Sequence, residues 1–158
     1  RRRSRVRVPS GSPLVFMFAE IALQTILAAI VGAVWLTPLV VSPAARSSLD
    51  EEALKFFLKT FFFRFHFFIV LMLFAYLSIV YLFQLTEYEL IWTSTKNLVM
   101  LILLGANIVN LLLSLIINNT KIDTASSLFR IMHGLSVAIF ASTSFVSLYY
   151  LIEKFLQV

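Results

Sequence analysis

Residues 61–83 read FFFRFHFFIVLMLFAYLSIVYLF, twenty-three positions with one formal charge, Arg64, and no Gly or Pro. About 20 consecutive apolar residues let a helix cross the hydrocarbon core of a bilayer. A run of this length is too long for a strand and too uniformly greasy for a water-facing helix. Three further segments have the same character, at residues 15–41, 98–117 and 128–152. The stretches between them are short, so sequential helices should pack antiparallel. The expected fold is all-α, an integral membrane four-helix bundle with up-down neighbours.

Composition agrees. Of 158 residues 60% are hydrophobic and 13% charged, with sixteen Phe. Soluble domains carry about a quarter charged residues, and a small core could not hide this much apolar surface from water. A lipid solvent removes that constraint. There is no Cys, which excludes disulfides, thiolate metal sites and catalytic thiols. The net charge of +5 comes largely from five Arg within the first seven positions. The other basic residues flank apolar runs. This distribution fits membrane topology rather than a nucleic-acid groove.

Residues 1–16 form a basic tail that reads like the conceptual translation of the end of a transfer-RNA gene, with Met17 expected as the start and 17–158 as the membrane domain. A signal peptide and a tail held on anionic lipid are the other readings. Counted from Met17, one side of the membrane holds Lys96 and Lys154. The other holds Arg46, Lys55, Lys59, Arg64, Lys121 and Arg130. Two against six places both termini outside. With the tail the count is seven against six and the rule is silent. The expected location is a bacterial inner membrane.

The first connection carries most of the charge. Pro43 is expected to stop the first helix. Ser48 and Glu51 have the spacing of a capping box, which would start the second helix near Leu49. Glu51, Lys55 and Lys59 recur every four residues opposite Leu54, Phe57, Leu58 and Phe61. Lys55, Lys59 and Arg64 are therefore expected at the lipid surface. Tyr88 and Trp92 in the second connection read as interfacial anchors.

Polar groups within apolar helices are costly and mark interior faces. The expected interior set is Glu20 and Gln24 on the first helix, Asn107, Asn110 and Ser114 on the third, and His133, Ser136, Thr143 and Ser147 on the fourth. Asn118 and Ser144 extend the last two stripes. Ala28 and Gly32, like Ala29 and Ala33, would allow close backbone approach. The second helix lacks such a stripe and is expected to face lipid. His66 and His133 lie toward the same side and could ligate copper or haem iron. No nucleophile-base pair, carboxylate pair or phosphate-binding Gly loop accompanies them.

The first helix closing on Gly32, Trp35 and Pro43, the charged connection, and the final helix opening Phe129-Arg130-Ile131-Met132-His133-Gly134-Leu135-Ser136 resemble the domain of unknown function 4149 family, that of transmembrane protein 205. The resemblance covers residues 18–155. It implies a four-helix membrane protein without established biochemical activity, and it marks His133 and Ser136. A more distant likeness is to the copper-resistance D membrane domain, whose members carry more His and Met. The haem-biosynthetic four-helix membrane oxidases carry a His in their first helix, and residues 14–41 contain none. Two functional classes are expected. One is a non-enzymatic transport or scaffold module without a cofactor. The other is a metal- or haem-binding membrane redox protein using His66 and His133. The expected partners are the lipid bilayer and a second copy or another membrane protein, not nucleic acid.

Overall fold

The computed structural model describes residues 13–83, 94–119 and 126–156. The anchors Tyr88 and Trp92, the loop residues Lys121 and Asp123, and residues 1–12 of the tail lie outside these. Among the described residues all regular structure is helical. The elements are α1 (Pro13–Leu36), a π turn (Thr37–Val41), α2 (Ser42–Ser48), α3 (Glu51–Phe83), α4 (Thr95–Asn119) and α5 (Ser127–Leu156). Four of the resulting rods are long and apolar enough to cross a membrane.

The first rod does not end at Pro43. Pro38 cannot donate to the Val34 carbonyl, and its ring would crowd that oxygen in a regular helix. The backbone widens instead: the Ser42 N–H reaches the Thr37 carbonyl, five residues back. The Thr37 hydroxyl donates to the Ala33 carbonyl at 3.0 Å. The rod then continues as α2 through Pro43 to Ser48, and only Leu49 is extended, at φ −116° and ψ 143°. The expected Ser48 capping box gives way to Asp50. Its carboxylate accepts the Ala53 N–H at 2.8 Å, and α3 starts at Glu51. Asp one residue before the helix satisfies a free N–H and its charge suits the N-terminal dipole, so it outcompetes Ser48. Glu51 instead pairs with Lys55 at 2.6 Å along the exposed face. Lys55, Lys59 and Arg64 are all exposed. Ser126 caps α5, its hydroxyl accepting the Phe129 N–H at 3.1 Å.

The long helices form a ring in chain order, with α1 against α3 and α5, and α4 against α3 and α5. Phe65 and His66 on α3 reach across to Phe140 on α5. The core is aliphatic where α1 meets α3: Leu23, Leu27 and Ile30 pack with Ile69, Leu73 and Val80. The expected inward face of α1 is therefore displaced. Glu20, Ala28 and Gly32 are exposed, and a Cβ added to Gly32 would meet nothing within 4 Å. Ala19, Leu23, Leu27 and Ile30 turn inward instead. Leu23, Leu27 and Ile30 fill the space between rods, and Ala28 and Gly32 are left outside.

The expectation for the second helix is also overturned. His66, Ile69, Leu73, Tyr76, Leu77 and Val80 of α3 are buried, at spacings of three and four. Phe67, Leu71 and Phe74 face outward. Lipid and core are both apolar, so a missing polar stripe does not identify a lipid-facing helix. Single cysteines can be introduced freely into a chain without native Cys. We expect a lipid-soluble maleimide to label cysteines at Leu71 and Phe74 and to spare those at Leu73 and Leu77. The reverse pattern would mean that α3 is rotated by half a turn.

Candidate functional site

The residues that combine polarity with burial lie along the seam between α4 and α5. On α4, Asn97, Met100, Leu103, Asn107, Asn110 and Ser114 are all buried, every three or four residues. On α5, Thr143, Ser147 and Tyr150 are buried, and Ser136 and Phe140 are partly so. The helices are antiparallel, and contacts along the seam occur in register. Lys96 meets Glu153 at 3.3 Å and lies 4.7 Å from the centre of the Tyr150 ring. Asn107 meets Thr143, and Asn110 meets the backbone at Ser136.

Asn107 sits at the midpoint of α4 and is fully buried. Its Nδ2 donates to the Leu103 carbonyl at 2.9 Å and to the Thr143 hydroxyl at 2.8 Å. A backbone carbonyl can only accept, so the amide nitrogen must face Leu103. The orientation is thereby fixed, and Oδ1 is left pointing elsewhere. The Thr143 hydroxyl donates in turn to the Ile139 carbonyl at 2.8 Å. Asn110 repeats the pattern one turn on, with Nδ2 3.4 Å from the Ser136 carbonyl. Asn107 Oδ1, Asn110 Oδ1, Ser147 Oγ and Asn97 Nδ2 are all buried without a protein partner. An unpaired buried polar group costs about 1–3 kcal/mol. Four of the six such atoms among the described residues lie on this seam; the other two are on Gln24 and Ser144.

His66 enters this seam from α3. It is 4% exposed, where the sequence reading left its helix facing lipid. Its Nδ1 bonds the Phe62 carbonyl and its Nε2 lies 3.3 Å from the Ser136 hydroxyl. The carbonyl requires the proton on Nδ1, so neutral His66 accepts from Ser136 through Nε2. Asn110 lies beside the imidazole. His66, Asn110 and Ser136 thus form one cluster from three helices.

Other sequence-derived positions fall elsewhere. His133 is exposed, its ring stacked on Phe129 with 5.9 Å between centres. Met132, one residue and about 100° away, is buried in its place. The stripe on α5 therefore runs from Ser136, not from His133. Glu20 is exposed, and Gln24 is half-buried with its Oε1 unpartnered. Ser144 is buried but turned toward a cavity between α1, α3 and α5. The side chain of Asn118 lies outside the described residues. Asn97 and His66 are interior residues the sequence reading missed. Asn97 continues the Asn107 spacing upstream, and His66 starts a heptad through Leu73 and Val80.

A copper or haem site on the two histidines does not fit this geometry. His66 uses both ring nitrogens on protein partners, and His133 is turned outward. Among the described residues, no three His, Cys, Asp or Glu gather to hold a metal ion.

No family model, curated protein or solved structure matches the chain.

Proposed function

We propose that this chain is a non-enzymatic multi-pass membrane protein of the transmembrane protein 205-like type that passes a small uncharged polar solute along the α4–α5 seam. The observation that supports this reading is the row of buried, unpartnered polar atoms on Asn97, Asn107, Asn110 and Ser147. Side chains serving only to join helices would pair with one another. The Asn107 and Asn110 amides are instead held by Leu103, Thr143 and Ser136 with their Oδ1 acceptors left over. Among the described residues, the one ion pair on the seam, Lys96 with Glu153, stands toward one end. The middle offers amides and hydroxyls. An ion there would need compensating charge, whereas a neutral solute needs only hydrogen-bond partners.

The test is solute flux into proteoliposomes, followed by light scattering after an osmotic step with urea or glycerol. Faster equilibration than in protein-free liposomes is the expected result. Equal rates would sink the transport reading and leave the seam as helix glue in a scaffold.

Orientation belongs to the same proposal. With Met17 taken as the start, the Lys/Arg balance of two against six supports placing the first and third connections in the cytoplasm and the C-terminus outside, a bias that residues 1–16 would cancel. In a bacterial inner membrane, alkaline phosphatase fused to the C-terminus should be active and β-galactosidase inactive. The opposite pair of results would invert the topology.

A further inference from the structure

Away from the seam, α1, the π turn, α2, α3 and α5 enclose a cavity of about 430 Å³. Single drug-sized ligands occupy pockets of this order. The cavity is elongated. Its lining on the first rod runs from Val34 to Arg46, and on α5 from His133 to Phe145. Twelve residues of helix rise about 18 Å, close to half of the roughly 30 Å hydrocarbon core. The trough therefore extends through about one leaflet.

Its two ends differ chemically. Val34, Phe65, Phe140 and Phe145 line the deep end, where the Thr37 hydroxyl is already spent on the Ala33 carbonyl and Ser144 is the other polar side chain. Arg46, Ser42 and His133 stand at the outer end. Arg46 lies in the last turn of α2 and has no carboxylate partner among the described residues. Trp35, Val137 and Phe145, all exposed, form one edge, so the trough opens sideways toward lipid. An apolar slot one leaflet deep, with a guanidinium at the interface end, matches a lipid that has an acyl chain and an anionic head.

We propose that this trough binds an anionic phospholipid from the leaflet on the side of the first and third connections, with one acyl chain against Phe65 and Phe140 and the phosphate on Arg46. The guanidinium presents a planar fork suited to two phosphate oxygens, and the exposed imidazole of His133 adds a donor beside it. The site is separate from the α4–α5 seam and does not depend on the transport proposal.

Trp35 reports on it directly. It lines the trough and packs edge-on to Phe145 at 6.1 Å. With Trp92 replaced by Phe, Trp35 is the remaining tryptophan. The protein is reconstituted in phosphatidylcholine vesicles containing phosphatidylglycerol brominated on its acyl chains, or brominated phosphatidylcholine as the neutral control. Half-maximal quenching should need about fivefold less of the anionic lipid, the order expected for one Arg at an anionic surface. Arg46→Gln should abolish that preference. Arg64→Gln, on the exposed face of α3, should preserve it. Ala141→Phe, which fills the trough, should remove the preference while Arg46 is intact. Excess inorganic phosphate should not relieve quenching, because it lacks the acyl chain. Equal quenching by the two lipids in the parent protein would overturn the proposal. So would a preference surviving Arg46→Gln or Ala141→Phe, one lost equally in Arg64→Gln, or relief of quenching by phosphate.

Discussion

His66→Ala should destabilise the protein in detergent by about 2–4 kcal/mol, and His133→Ala by less than about 0.5 kcal/mol. The two histidines look alike in sequence, each a few residues inside an apolar helix beside an Arg. The fold separates them. His66 is buried, its ring centre lies 4.7 Å from that of Phe140, and both nitrogens are engaged. Removing the imidazole opens a cavity where α3 reaches across the bundle to Phe140 of α5. It also takes away the partner that accepts from Ser136. The Ser136 hydroxyl can turn back to its own helix, so the polar loss lies at the low end of its range and the packing loss dominates. His133 gives up one stacking contact with Phe129 at an exposed position. Thermal or denaturant unfolding of the two variants decides between them. Similar large losses in both would point back to a joint ligand site. Small losses in both would place the His66 ring outside the bundle.

The architecture was legible in sequence because bilayer thickness imposes a length, and four apolar runs meet it. The facing of each helix was only half legible. Where a helix carries Asn and Ser at heptad spacing, as α4 does, the interior face declares itself through the cost of polarity in lipid. Where a helix has no such stripe, as in α3, the core and the solvent have the same chemistry, and on α1 the polar Glu20 is exposed rather than interior. Leu73 and Phe74 are equivalent by composition, yet one is buried and the other 60% exposed. Composition does not separate the two faces of such a helix, and only the packing places Leu27 and Ile30 inside with Ala28 and Gly32 outside. The cavity at Arg46 was hidden for a further reason. It is lined by a rod that passes Pro38 in a π turn and Pro43 within α2 and continues to Ser48, where proline chemistry alone predicts a stop.

Asn107→Leu should abolish solute flux while costing less than about 2 kcal/mol of stability. The two readings of the seam differ on this substitution. Leucine has nearly the shape of asparagine and places methyl groups where the amide was. Thr143 keeps its bond to the Ile139 carbonyl, and the Leu103 carbonyl keeps its place in the helix ladder. The variant therefore leaves no new orphan in the protein and deletes one, Asn107 Oδ1. Measured interhelical hydrogen bonds in a membrane protein average about 0.6 kcal/mol and reach about 1.7 kcal/mol, so the bundle should hold. For a polar solute the same change is severe. The row of buried polar groups loses the Asn107 acceptor, and a desolvated amide or hydroxyl donor passing that point would forgo a hydrogen bond worth about 4–6 kcal/mol in an apolar medium. At about 1.4 kcal/mol per decade, even half of that slows passage by about a hundredfold. Flux and unfolding measured on the same preparation separate the cases. Lost flux with a stable bundle identifies the seam as a path. Unchanged flux, with or without a fall in stability, identifies Asn107 as a bond between helices and nothing more.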